Sequence, residues 1–214
     1  MEKNGKLFIS AIKTREFISS VWDPYIYRRN GERHALSQYA IVQKINSKLV
    51  SHKLMPFSPI EYKDIPHGSY LSFALEPKID NKAIDLPVVG EEVLLLGTMR
   101  AYLGNIIVTP HATWINHNSP IYFQVKSEFA IVSPQDELTY FWLAYMRSKE
   151  FLENLPLGSG GTRPRLHTKT LEQTPVTVPP LKVRREIHDR LKELAKAEWN
   201  NYSNVESAID TLTS

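Results

Sequence analysis

The run LPLGSGGTRPRLHTKTLEQTPVTVPPL, Leu155–Leu181, decides how this chain is read. A helical pattern runs into it and a long amphipathic pattern runs out of it. Between them lie a glycine-rich turn (Gly158, Gly160, Gly161), a proline flanked by Arg163 and Arg165, and a short apolar segment closed by Pro179-Pro180. Flexible backbone beside guanidinium forks suits an anion such as a phosphate. The same residues also suit a plain surface turn with solvated arginines.

Upstream, Leu138, Phe141, Trp142, Tyr145, Phe151, Leu152 and Leu155 form a wide apolar stripe, so a core-facing helix is expected to Leu155. Ser133-Pro134 reads as its cap and first position. Pro156 and Gly158 end it. Downstream, Ile187, Leu191, Leu194, Tyr202, Val205, Ile209 and Leu212 recur at nearly helical spacing, so Val183 to Leu212 reads as a second helix, extending ~45 Å at ~1.5 Å per residue. Its single stripe requires a partner: its own core, another subunit or a second copy.

The clearest strand signal is Glu91 to Thr113, where VLLLG and IIVTP flank a turn through Leu103-Gly104-Asn105. Ile121–Val125 and Phe129–Val132 read as another strand pair, and Leu7–Ile12 and Tyr70–Leu75 as short strands. Arg33 to Leu49 carries Leu36, Ala40, Ile41, Ile45 and Leu49 near one helical face, so a helix is expected there. Prolines 56, 59, 66, 77 and 87 argue against long central strands in between.

With 214 residues the chain holds one good-sized core, or one domain and an appendage. The absence of cysteine excludes disulfides, zinc-thiolate sites and cysteine nucleophiles. No apolar run approaches the ~20 residues of a bilayer span, and MEKNGKLFIS lacks a signal-peptide core, so a cytoplasmic protein is expected. A net charge of +3 permits a polyanionic partner without demanding one.

Catalytic patterns fail one by one. Val178-Pro179-Pro180-Leu181 lacks the polar residue and the ring that an amino-methyltransferase needs around its Pro-Pro. Glu61-Tyr62-Lys63 has the Glu-x-Lys spacing of a nuclease, but its nearest upstream acid is Asp23. Gly158–Thr162 lacks the Gly-Lys-Ser/Thr ending of a P-loop. His111 and His117 do not stand at a helical ligand step. The chain carries no recognisable catalytic constellation, and no metal or cofactor is expected.

Together these segments resemble a target-recognition domain of the DNA specificity subunits of type I restriction–modification systems. The resemblance rests on an ordered series. It begins with the strand into Arg100-Ala101-Tyr102-Leu103. It continues through Phe141 to Phe151, the GSGGTR turn at Gly158–Arg163, TPVTVPPL at Thr174–Leu181, and the helix beyond. It covers Glu91 to Lys196 well and earlier residues loosely, although Asp23-Pro24-Tyr25 is similar to an Asp-Pro-x-Tyr entry. Val183-Arg184-Arg185-Glu186 departs from the usual Glu-Gln opening of the last helix. Such subunits carry two recognition domains and two spacer helices, whereas this chain has room for one of each.

The resemblance implies an α+β fold: a mixed-sheet recognition domain over residues 1–180, with 1–50 loosely assigned, and a coiled-coil spacer helix over 181–214. It implies a non-catalytic half-subunit that reads a double-stranded DNA sequence and directs a DNA adenine methyltransferase, with or without a restriction subunit. Phosphate or base contacts are expected at Arg100, Asn105, Asn116, Thr162, Arg163, Arg165 and Lys169. Further readers are expected among Asn81, Lys82, His117 and Asn118. For Arg163, bracing the turn is an equal expectation. Ile187, Leu191, Leu194, Tyr202, Val205, Ile209 and Leu212 would form a homodimer or partner seam. The alternatives are a self-contained nuclease or methyltransferase and a protein-interaction adaptor using that helix.

Overall fold

The computed structural model describes residues 34–45, 60–65, 87–115 and 122–213. At its centre is an antiparallel sheet of four strands in the order β2-β7-β4-β5: β2 Ala40–Lys44, β7 Phe129–Pro134, β4 Leu94–Gly97 and β5 Ile106–Val108. The expected VLLLG/IIVTP hairpin forms, with Leu95 opposite Ile107 on one side and Ile131 on the other. Leu94, Leu95 and Leu96 are buried, so β4 is covered on both faces and its apolar run is continuous rather than alternating. Each such leucine contributes about 1.5–3 kcal/mol by leaving water.

Helix α1, Thr139–Arg147, packs against β5 and β7 and buries Tyr140, Phe141, Trp142, Leu143 and Met146. At Ser148 the backbone turns extended, and the Ser148 hydroxyl accepts the Phe151 N–H at 3.2 Å to start α2, Lys149–Asn154. One long expected helix is therefore two. Two short ladders complete the strands. β1 His34–Ala35 pairs with β8 Pro175–Val176, and β3 Val88–Val89 pairs with β6 Phe123–Gln124. Helix α3 is Thr168–Leu171 and α4 is Leu181–Thr213.

Four expectations change. Residues 34–45 form β1, a 3-10 turn at Leu36–Gln38 and β2, not a helix. Ala40 and Val42 point inward while Ile41 is exposed, and five residues pair with β7, so sheet pairing outweighs the local helical spacing. Ser133 and Pro134 end β7 instead of opening α1. The acceptor before α1 is Asp136, whose Oδ1 takes the Leu138 N–H at 3.2 Å and the Trp142 indole N–H at 3.0 Å. The 121–125 and 129–132 segments do not pair with each other: β6 joins β3, and β7 joins β2 and β4. Finally, among the described residues every ladder is antiparallel rather than mixed, and Ile60–Val125 is an isolated parallel bridge. Leu7–Ile12, Tyr70–Leu75 and the Asp23-Pro24-Tyr25 entry lie outside the described residues.

Helix α4 follows Pro179-Pro180, and its first half lies on α1. Its inward stripe is partly polar. Arg184 ion-pairs with Asp136, and the His188 Nδ1 accepts the Tyr140 N–H at 3.3 Å. Lys192 meets Glu92 at 2.7 Å, and Ala195 and Trp199 are buried in the core.

Candidate nucleic-acid interface

The glycine-rich turn is a two-stranded corner. Ser159 and Arg165 exchange backbone hydrogen bonds, Ser159 N–H to Arg165 O at 2.9 Å and Arg165 N–H to Ser159 O at 2.7 Å. Gly160 has φ +105°, a conformation that side chains rarely adopt. A Cβ on Gly158 would sit 3.0 Å from the backbone of Pro164 and Arg165, so glycine permits this close approach.

The corner is stitched to the end of β4. Leu166 N–H donates to Thr98 O at 2.8 Å, Arg100 N–H donates to Pro164 O at 2.9 Å, and Met99 bridges Arg165. Arg100 has left-handed backbone (φ 50°, ψ 48°), and its guanidinium donates to Thr162 O at 3.2 Å. A non-glycine residue held there stores strain of about 1 kcal/mol, which the flanking bonds offset.

Tyr62 braces this platform from behind. Its hydroxyl donates to Glu128 O at 2.9 Å and accepts the Met99 N–H at 3.1 Å, while its ring stands edge-on to Phe129 at 5.0 Å. Burial pushes its pKa up to about 12. A Cβ on Gly97 would come within 2.8 Å of the Tyr62 ring. In the sequence Tyr62 stands out only as the middle of a Glu-x-Lys pattern. In the fold Glu61 forms ion pairs with Lys126 and with Lys63 at 3.5 Å, and the hydrogen bond from Lys126 lowers its pKa. The signal that could have found the brace is Gly97, a glycine ending a buried strand.

Arg100, Thr162, Arg163, Arg165 and Lys169 are all exposed, and they share this corner and the α3 that follows it. None of the four cations pairs with a described carboxylate, and no acidic residue occurs from Leu155 to Leu171. Such a patch concentrates positive potential outward. Asn105 does not join it. At 5% exposure, with its Cβ and carbonyl packed where Gly97 leaves room, it is buried. Asn116, Asn81, Lys82, His117 and Asn118 lie outside the described residues.

On α4, Ile187 and Leu191 are taken up by the chain's own core, whereas Leu194 is 49% exposed. Tyr202, Val205, Ile209 and Leu212 continue the helical backbone, with side chains outside the description. The Ser159 hydroxyl lies 3.0 Å from His167 Nε2, and no described carboxylate pairs with that imidazole. Among the described residues no group of His, Asp and Glu could hold a metal ion, and no helix is long and apolar enough to cross a membrane.

Two solved structures are similar to the chain. One, from work on complex assembly and conformational transition of the type I R-M system, is 17% identical with a TM-score of 0.45, covering 84% of this chain and 43% of that one. The other, the HsdS subunit from Thermoanaerobacter tengcongensis, is 19% identical with a TM-score of 0.44, covering 81% of this chain and 42% of that one. The chain therefore spans less than half the length of either. No curated protein matches it. The model of the type I restriction modification DNA specificity domain matches residues 81–205, more than half of the sequence. The chain thus belongs to the type I restriction modification DNA specificity domain family.

Proposed function

We propose that this protein is a non-catalytic, sequence-specific DNA-recognition unit of a type I-like restriction–modification system. The observation that carries the reading is the exposed, acid-free corner at Ser159–Arg165, held rigidly to Arg100 at the end of a buried strand. Arg163, Arg165 and Lys169 neutralise phosphates there and set position without reading sequence. Base readout falls to the loops between residues 51 and 118, including Asn116. The unit directs a DNA adenine methyltransferase and, where one is encoded, a restriction subunit, and it works in the cytoplasm.

Residues 1–180 form the recognition domain and 181–214 the spacer. Two copies pair through α4, using Leu194 and the stretch from Tyr202 to Leu212. A palindromic two-part site follows from two-fold symmetry.

Selection of bound duplexes from a randomised library tests the reading. Enrichment of a discrete motif, with affinity falling steeply as salt rises, is expected. Binding of all duplexes alike, or none, overturns it. Pairing is tested by light scattering on the full chain and on a chain ending after Asn200. That cut keeps Ala195 and Trp199, on which the core depends. A dimer that becomes a monomer is expected; a full chain that is already monomeric refutes pairing.

A further inference from the structure

The corner whose arginines meet no described carboxylate also carries apolar side chains. Tyr102 is 57% exposed and Leu103 is 49% exposed, both on the 3-10 turn Ala101–Leu103 that joins β4 to β5. Leu157 is 69% exposed. Tyr102, Leu157, Pro156 and Pro164 line one pocket of about 320 Å³. An isolated exposed leucine needs no explanation. Several beside one cationic corner mark a contact surface.

The turn that presents them is stiff. Arg100 N–H is tied to Pro164 O, Leu103 N–H to Arg100 O at 2.9 Å, and Gly104 N–H to Ala101 O at 3.0 Å. Ala101 is buried beneath, and Gly104 closes the turn in left-handed conformation. Placing Tyr102 and Leu103 against a ligand therefore costs little backbone ordering.

Charge identifies the ligand. Arg100 precedes the apolar turn directly and is tied to Thr162 and Pro164, next to Arg163 and Arg165, and the one acid lining the pocket, Glu153, is already paired with Lys149 at 3.7 Å. A cationic corner beside an apolar tip is complementary to a duplex, with phosphates on the arginines and stacked bases at the tip. Proteins that deform DNA push apolar wedges between base steps while basic side chains hold the flanking backbone.

We propose that Tyr102 and Leu103 form such a wedge. Leu103 enters a base step, the Tyr102 ring stacks on the exposed base face, and Arg163 and Arg165 grip the adjoining phosphates. The inference rests on the DNA-recognition reading. It adds a deformation that makes binding depend on how readily a step unstacks, a source of specificity at positions without hydrogen-bonded readout.

The test uses the full chain and a pool of random short duplexes carrying 2-aminopurine in place of adenine, whose fluorescence rises when its stacking is lost. Binding by the unaltered chain is expected to brighten the probe. The Tyr102→Ala/Leu103→Ala double variant is expected to bind about tenfold more weakly, with unchanged salt dependence and no brightening at saturation. Tyr102→Phe retains the brightening. Unchanged thermal melting separates loss of the wedge from loss of fold. Binding without brightening by the unaltered chain overturns the wedge and leaves DNA recognition standing. Brightening retained by the double variant does the same. Failure of the unaltered chain to bind any duplex overturns both.

Discussion

Two clusters of basic side chains, one at the glycine corner and one at the root of α4, have opposite fates. Arg184 and Lys192 at the root point inward and meet Asp136 and Glu92. Arg184 and Asp136 are 13% and 14% exposed. Arg163 and Arg165 at the corner are exposed and meet no described carboxylate. Charge at the root is consumed in setting the helix against α1. At the corner no described acid takes it up. A count of basic residues cannot separate these roles; the presence of a facing acid can.

The comparison breaks first at the root if α4 is only loosely attached. Trp199 is 2% exposed in the core, so Trp199→Ala is expected to destabilise the chain by about 3–5 kcal/mol. Urea unfolding checks this, and a midpoint near that of the unaltered chain would mean that the helix is not docked. Asp136→Asn is expected to cost about 3 kcal/mol. The amide can still accept the Leu138 and Trp142 N–H groups, but Arg184 is left buried without its counter-charge. Restored stability in Asp136→Asn combined with Arg184→Met would assign the loss to the unpaired guanidinium.

The brace behind the corner gives a pH signature. The pKa of Tyr62 is raised to about 12 from the usual value near 10, so the folded chain favours the neutral phenol. That contribution is complete below the unfolded pKa and is lost as pH rises from about 10 through about 12. Burial also raises Tyr140 and Tyr145, so they share the same alkaline loss. Tyr62→Phe is expected to make the fall of the urea midpoint shallower in that window. An identical fall would show that the other tyrosines account for it.

The sequence disclosed the parts that depend on composition and local chemistry. The buried hairpin was legible because VLLLG and IIVTP are too apolar to lie anywhere but the centre. The long last helix was legible from its stripe, yet not its docking. His188 and Arg184 read as polar surface until Tyr140 and Asp136, 48 residues earlier, are placed beside them. Residues 34–44 misled because the spacing of Leu36, Ala40 and Ile41 fits a helix, while the pairing that decides the matter comes from Phe129–Pro134. At the site, Arg100, Arg163 and Arg165 were singled out separately, and their shared corner follows from backbone bonds between distant segments. The burial of Asn105 is not legible in sequence, because it depends on Gly97, a neighbour in space that leaves room for it.

The smallest expected effect on stability is the sharpest for function. Arg163→Ala/Arg165→Ala removes two exposed side chains that meet no described carboxylate, so the melting temperature is expected to move by no more than about 0.5 kcal/mol would require. If these arginines brace the turn against the domain, melting falls and DNA binding falls with it. If they hold phosphates, melting stays and the slope of log affinity against log salt becomes shallower by about 0.9 for each phosphate no longer neutralised, close to 2 for the pair. Arg163→Lys/Arg165→Lys refines the outcome. A phosphate held as a point charge keeps the original slope, whereas a bidentate fork loses affinity at every salt concentration. The same double alanine change should leave the motif enriched from a random library unaltered, because phosphate contacts carry position and not sequence. A changed motif would move base readout onto the corner itself and dissolve the division between gripping there and reading in the upstream loops.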